Sequence, residues 1–251
     1  MANICGSGSR LYSSAMIKFV LPAALLLSAT PAFAQQPTLD LVGEANIVSD
    51  YRFRGVSRSD EDPALQGALT LFHSSGLYAG ARASSLRGVD PYRGRDLGDA
   101  QVDLYAAYRT ALGGGFELDA GGTYYLFAGG AGPTDYAEAS AALSYQIGPA
   151  QLSGGARYAP AQAAIGDEDM LYLYGRAEVS IPFRPWSVAA EAGRQQSGAY
   201  GDYWTWSLGA RHQLQIAGLP DTEIGLDYVD TDLPSAPGVD GGLVASIRFG
   251  F

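Results

Sequence analysis

The last ten residues of the chain, Gly-Leu-Val-Ala-Ser-Ile-Arg-Phe-Gly-Phe at 242–251, alternate between two kinds of side chain. Gly, Ser and Arg occupy most of the positions between the apolar ones, which are Leu243, Ala245, Ile247, Phe249 and Phe251. Successive side chains of a β-strand point to opposite faces, so a period of two predicts a strand with one apolar face and one polar face.

The same alternation recurs upstream, in segments of about ten residues each. Including the last, the sequence predicts twelve strands, at 39–53, 64–74, 77–85, 100–110, 116–127, 136–146, 150–159, 170–181, 186–195, 203–214, 222–231 and 241–251. An even number of such segments is typical of transmembrane barrels of bacteria. The predicted fold class is therefore all-β, a transmembrane antiparallel up-and-down β-barrel of about 12 strands.

Connections between the predicted strands alternate in length. The long ones are 54–63, 86–99, 128–135, 160–169, 196–202 and 232–240, and shorter turns near residues 75, 114, 148, 184 and 218 lie between them. Bacterial barrels have long extracellular loops and short periplasmic turns. The pattern thus predicts that both chain termini are periplasmic.

Charged side chains fall on one face of the predicted strands. In 170–181, for example, Arg176 and Glu178 share a face, while the opposite face carries Leu171, Leu173 and Val179. A soluble β-sandwich alternates in the same way, with the apolar face as its core. Aromatic residues near both ends of the strands favour the membrane barrel, because two aromatic girdles flank its apolar band. The predicted outer girdle contains Tyr51, Phe53, Tyr124, Tyr158, Trp204 and Tyr228.

Both ends of the chain predict export to the outer membrane of a Gram-negative cell. Lys18, the apolar run at 19–27 and the small residues around Phe33 form a secretory signal peptide, predicted to span 1–34 and to be cleaved. A final strand that ends on an aromatic residue resembles the C-terminal assembly signal of outer-membrane barrels. The expected partners are therefore outer-membrane lipid, lipopolysaccharide and, through Phe251, the barrel-assembly machinery.

The net charge and the cysteine content argue against a nucleic-acid-binding protein, a disulfide-bonded protein and a lipoprotein. Without Arg10 and Lys18 of the signal segment, 14 arginines face 26 carboxylates, a net charge of −12. That sign argues against nucleic-acid binding, which needs a basic surface. Cys5 is the only cysteine, so the remaining 217 residues are expected to contain neither a disulfide nor a lipid anchor.

A family resemblance begins in the first predicted strand. The stretches Val-Ser-Asp-Tyr-Arg-Phe-Arg-Gly-Val-Ser at 48–57 and Asp-Glu-Asp-Pro-Ala-Leu-Gln-Gly at 60–67 resemble the opening of the TorF family, bacterial proteins of unknown function classed as porins by analogy. The resemblance is specific through 75–80 and continues more weakly at 102–105, 124–126 and 135–138. One departure is 82–85, where this chain has Arg-Ala-Ser-Ser in place of an aromatic residue followed by Ser-Asn. The resemblance implies an outer-membrane barrel that acts as a pore.

By the same alternation, a set of charged side chains faces the lumen. The predicted pore-lining residues are Arg52, Arg82, Arg109, Arg157, Arg176, Arg211, Arg248, Asp103, Glu117, Asp119, Glu138, Glu178, Glu191, Glu223 and Asp227, and Arg54 and Glu44 share their parity. Two functions are compatible with this lining: passive diffusion of small polar or charged solutes, or a structural or interaction barrel whose narrow lumen is closed by paired charges.

A lipid-acting enzyme is the third alternative. Serine hydrolysis needs a base beside the nucleophile, and the only histidines, His73 and His212, both lie on the apolar face. His73 has a His-x-Ser spacing to Ser75, but it is predicted to lie at the periplasmic end. We therefore expect no enzyme activity and no catalytic, cofactor or metal site. The acidic clusters at 60–62 and 167–169 are read as solvated loop charge, with a divalent-cation site as the alternative.

Overall fold

Twelve antiparallel strands close into a barrel in the computed structural model, which describes residues 38–87, 96–198, 201–218 and 220–251. The signal peptide predicted at 1–34 lies outside the described residues. The barrel strands are β1 Leu39–Val48, β4 Ala64–His73, β5 Leu77–Ser85, β6 Gly98–Gly113, β7 Phe116–Gly129, β8 Tyr136–Ile147, β9 Ala150–Ala159, β10 Met170–Ser180, β11 Trp186–Ser197, β12 Tyr203–Leu214, β13 Asp221–Thr231 and β14 Gly242–Gly250. Two short strands, β2 Arg52–Phe53 and β3 Val56–Ser57, form a separate hairpin.

The first and last barrel strands close the cylinder. β1 pairs with β4 on one side and with β14 on the other. At the end of this seam, the Phe251 amide donates to the Gly43 carbonyl at 2.9 Å and the Gly43 amide donates to the Phe251 carbonyl at 2.7 Å. A Cβ atom at residue 43 would collide with the Phe251 ring, so this ring covers a bare glycine. The prediction of a closed 12-stranded barrel is confirmed, and the sandwich alternative is wrong.

The outer face of the barrel wall is apolar and uncovered. Leu65, Leu208 and Leu243 are 64%, 59% and 66% exposed, and Tyr124, Trp204 and Tyr228 of the predicted outer girdle are also exposed. A barrel has no second sheet against which this face could pack. Among the described residues, no helix is both long enough and apolar enough to cross a membrane.

The two ends of the barrel differ. The strand ends joined by the short turns 74–76, 114–115, 148–149, 181–185 and 215–220 lie at one end with Leu39 and Phe251, called here the turn end. The strand ends joined by the connections 49–63, 86–97, 130–135, 160–169, 198–202 and 232–241 lie at the opposite end, called the loop end. Long and short connections alternate as predicted, except that 198–202, with five residues, is no longer than the turns on either side of it, 181–185 and 215–220.

The connection 49–63, called here the inner hairpin, corrects two predictions. The segment 39–53 is not one strand, because β1 ends at Val48 and the chain then enters the barrel interior through β2 and β3. The assignment of Tyr51 and Phe53 to the outer girdle is also wrong, since both line the interior cavity.

Local chemistry explains this inward turn. Arg54 and Gly55, with φ of 52° and 88°, form the two-residue loop between β2 and β3, a conformation typical of type I′ hairpins. The buried Asp50 carboxylate accepts hydrogen bonds from the hydroxyls of Ser57 at 2.6 Å and Ser59 at 3.2 Å. These hydrogen bonds hold the end of the hairpin, at Ser57 and Ser59, against its beginning at Asp50.

Candidate functional site

The barrel encloses a cavity of about 870 Å³ between the inner hairpin and the wall. Its charged lining residues are Arg52, Arg54, Arg82, Asp103, Arg109, Glu117, Asp119, Arg157, Arg176 and Glu191. Nine of these ten are in the predicted pore-lining set, and Arg54 was placed in the lumen by its parity. The structure thus brings most of the predicted charges to one space.

The other six predicted residues do not line this cavity. Glu138 is buried beneath Arg54. Arg176 contacts Glu178 at 2.9 Å on the same strand. Three ion pairs connect the rest on neighbouring strands, Arg211 with Asp227 at 2.8 Å, Arg248 with Glu223 at 3.0 Å and Arg211 with Glu223 at 4.0 Å.

Charged residues on the barrel wall form ion pairs with residues on nearby strands of the same wall. Arg109 of β6 lies 3.0 Å from Asp119 and 3.5 Å from Glu117, both on the adjacent β7. Arg82 of β5 lies 2.8 Å from Glu44 of β1, with only β4 between them. These pairs hold their side chains against neighbouring strands, so they do not span the lumen.

Arg54 at the tip of the inner hairpin is the charge that crosses the lumen. Its guanidinium donates to both carboxylate oxygens of Glu138 on β8 at 2.7 and 2.8 Å, and to the side-chain oxygen of Gln195 on β11 at 2.7 Å. The two charged side chains are 6% and 2% exposed. The Arg54 guanidinium also lies 4.6 Å from the centre of the Tyr172 ring on β10. Gly55, next to it, approaches Thr205 and Thr231 so closely that any Cβ would clash. The tip therefore contacts the wall at three places: β8, the pair β10 and β11, and the pair β12 and β13.

Arg58 is a lumen residue that the sequence did not predict. Its guanidinium lies 3.6 Å from the centre of the Phe53 ring and donates to Gln101 of β6 and, at 3.5 Å, to the hydroxyl of Tyr136 on β8. Burial raises the pKa of the neighbouring Tyr51 hydroxyl, an effect that the positive charge of Arg58 opposes. Alternation could not find Arg58, because residue 58 belongs to no barrel strand.

The base of the inner hairpin is held at the loop end. Arg52 donates to Asp50 at 2.6 Å and to the Asp240 carbonyl at 2.7 Å, and the Ser57 amide donates to the Gly238 carbonyl at 2.7 Å. Tyr51 and Phe53 pack on an apolar cluster that includes Tyr125, Phe127, Tyr136, Ile165 and Met170. The hairpin is thus part of the barrel's buried core and narrows the lumen at this end.

Three inward-facing tyrosine rings lie flat against the wall. Tyr172 covers Gly193, Tyr174 covers Gly155 and Tyr105 covers Gly80, each on a neighbouring strand, and a Cβ at any of these glycines would clash with the ring. Aromatic residues that cover glycines in this way stabilise sheets. Here they also keep three bulky rings out of the middle of the lumen.

The histidines remain outside the lumen. His73 Nδ1 lies 2.7 Å from the Ser75 hydroxyl within one turn, and His212 packs on Trp186 with ring centres 4.4 Å apart. Within the described part of the chain, no carboxylate contacts either ring, so no third group orients a base as a catalytic triad requires. The same residues include no group of three or more side chains that could hold a metal ion.

Comparisons with known proteins agree with this architecture. The sequence profile of a family described as "Bacterial protein of unknown function (Gcw_chp)" matches residues 34–241. No curated protein sequence matches the chain. Among solved structures, the KdgM porin is 6% identical with a TM-score of 0.56, and the match covers 84% of this chain and 99% of that one. The NanC porin is 14% identical with a TM-score of 0.52, covering 84% and 98%. A structure of the KdgM porin in complex with disordered oligogalacturonate has a TM-score of 0.53 at 6% identity, covering 84% and 96%. At these identities, the likeness is one of fold.

Proposed function

This chain belongs to the Gcw_chp family of bacterial proteins, whose function is unknown, and we propose that it is an outer-membrane porin. In this proposal, small polar or charged solutes diffuse passively through the lumen lined by arginines and carboxylates. The observation that carries the proposal is the charged cavity of about 870 Å³ inside a closed barrel whose outer face is apolar. An aqueous interior within an apolar exterior is the arrangement that a membrane pore requires.

The same proposal assigns an environment to each surface. The apolar outer wall contacts membrane lipid, the turn end with both termini faces the periplasm, and the loop end faces lipopolysaccharide and the medium. Strands of nine residues or more are long enough to cross the hydrocarbon core when tilted. Cleavage of residues 1–34 on export belongs to this proposal, as does the relation to TorF porins.

Ion selectivity tests the pore directly. Purified protein in a planar bilayer is expected to give discrete conductance steps in KCl. Because Arg82 and Arg176 line the cavity, Arg82→Glu and Arg176→Glu should each shift the ratio of anion to cation permeability toward cations by about twofold to fivefold. Arg82→Lys keeps the charge and serves as the matched control, with little change in the ratio.

A plugged structural barrel is the second candidate, and the inner hairpin is the observation in its favour. The hairpin crosses the lumen and is held there by the buried pair of Arg54 and Glu138. Conductance no higher than that of a protein-free bilayer, from protein that migrates as a folded barrel, would support this candidate and contradict the pore.

Assembly through the last strand is a separate proposal. We expect Phe251→Ala to lower the amount of folded barrel in outer membranes, since a terminal aromatic is the proposed signal to the barrel-assembly machinery. The backbone hydrogen bonds between residues 43 and 251 survive this change. Refolding of the purified variant in detergent should therefore resemble that of the parent protein. Equal losses in cells and in detergent would instead show that the ring over Gly43 acts only through stability.

We do not propose an enzyme. The contact between His73 and Ser75 lies on the outer face, and no acidic partner for His73 occurs among the described residues. The wet, charged surface of the barrel is the lumen, where neither histidine lies.

A further inference from the structure

Two of the ten charged residues that line the cavity have no ion-pair partner. Eight are paired with an opposite charge within 4.0 Å, three of them through Asp50, Glu138 and Glu44, which do not line the cavity. The exceptions, taken over the described part of the chain, are Arg157 and Asp103. One cation and one anion thus face the same space and remain more than 4.0 Å apart.

Arg157 projects inward from β9. Its guanidinium makes one long hydrogen bond, 3.5 Å from Nη1 to the Tyr125 hydroxyl. An arginine side chain has five N–H donors in a planar fork that matches a carboxylate. Most of these donors are therefore available to water or solute in the lumen.

Asp103 projects inward from β6. Its Oδ1 atom accepts a hydrogen bond from the Gln101 amide, while Arg82, its cross-strand neighbour, is directed to Glu44. The second oxygen of Asp103 is available to a donor in the lumen.

We propose that Arg157 and Asp103 form a binding point for small zwitterions, such as free amino acids, on their way through the pore. This inference rests on the proposed porin function. The solute carboxylate would meet Arg157, and its ammonium group would meet Asp103. A neutral sugar would satisfy neither charge, and a simple ion would satisfy only one.

The other residues that line the cavity explain why Arg157 and Asp103 are the ones that bind a solute. The other charged residues on the wall are already paired with neighbouring residues of opposite charge. They therefore attract a charged solute less strongly than Arg157 and Asp103 do. Arg58 also lacks an ion-pair partner among the described residues, but its guanidinium stacks on Phe53 and bonds Gln101 and Tyr136, and it does not line the cavity. A single pair of unpaired lining charges, in a cavity with room for tens of water molecules at about 30 Å³ each, binds weakly and lets the solute leave. Weak binding of this kind is what permeation requires.

Uptake into proteoliposomes tests the proposal with solutes of one size. The probes are labelled L-alanine, a zwitterion, and its analogues lactate, 1-amino-2-propanol and lactamide, which are anionic, cationic and neutral. For the parent protein, we expect alanine to enter about threefold to tenfold faster than lactamide, as one or two charge-assisted contacts allow. Arg157→Gln and Asp103→Asn should each bring this ratio close to one. Asp103→Asn should also favour lactate over 1-amino-2-propanol.

Two further variants separate this proposal from general effects. The exchanged pair Arg157→Asp/Asp103→Arg is expected to restore the preference for alanine. Arg194→Gln/Asp202→Asn removes one charge of each sign at the loop end, outside the lumen, and should leave the preference unchanged. An alanine to lactamide ratio of one in the parent protein, or a ratio that survives Arg157→Gln, would overturn the zwitterion site while KCl conductance still supports the porin. Absence of KCl conductance would overturn both.

Discussion

Replacing residues 50–62 with Asn-Gly is expected to raise the single-channel conductance about threefold or more, because it removes the chain that crosses the lumen. The barrel tolerates this change geometrically. Val48 of β1 and Ala64 of β4 lie directly opposite each other in the sheet, so a tight turn can join these strands. The apolar cluster loses Tyr51 and Phe53, but every pairing between barrel strands remains.

A matched loop variant controls for the altered loop end. Residues 131–133 are exposed, and replacing them with Gly-Ser shortens a different connection at the same end. This control should keep the parent conductance. If the variant without the inner hairpin conducted no better than the control, the hairpin would not be the constriction, and the narrowest part of the pore would lie among the wall charges.

Loss of the buried ion pair is expected to release the hairpin from the wall. Glu138→Gln keeps the shape of the side chain but leaves the Arg54 guanidinium almost completely buried without a counter-charge. Removing one partner of such a pair costs about 3–5 kcal/mol. The Ser57 amide donates to the Gly238 carbonyl and the Arg58 amide donates to the Tyr51 carbonyl. Hydrogen exchange at these two amides should accelerate about 10²–10⁴-fold.

Two comparisons make this prediction specific. In Glu178→Gln, the affected pair with Arg176 is 38% and 34% exposed, so the expected cost is about 0–1 kcal/mol and hairpin exchange stays slow. The double variant Arg54→Met/Glu138→Leu removes both charges and should recover most of the protection, because an apolar pair avoids the buried unpaired charge. Unchanged exchange in Glu138→Gln would show that the hairpin is held mainly by its apolar contacts and by Arg58.

The strands were predictable because each strand of a barrel has one face toward the apolar exterior and one face toward the polar lumen along its whole length. In β10, Leu173 and Val179 are exposed on the outer face while Arg176 and Glu178 pair on the inner one, as their alternation in the sequence indicates. Since a side chain that moves to the other face exchanges an apolar environment for a polar one, the period of two is enforced along each strand. Strand bounds differ from the prediction by only a few residues, except at the end of β1.

The inner hairpin was not predictable in this way. Tyr51 and Phe53 continue the alternation of β1, so the pattern extends the strand beyond the point where the chain turns inward. What ends β1 is a set of contacts with residues far along the chain, such as Gly238 and Asp240 on the connection to β14. Local alternation carries no information about such partners.

By itself, the sequence determined the fold class, the number of strands and the face to which nearly every strand side chain points, because these follow from a repeat that each strand contains within itself. Only the tertiary structure decided which charges neutralise one another, that Arg54 and Arg58 occupy the lumen on a hairpin, and that Arg157 and Asp103 keep free charges. Pairing depends on which residues become neighbours when the cylinder closes. That register joins segments far apart in the chain, and no single strand encodes it.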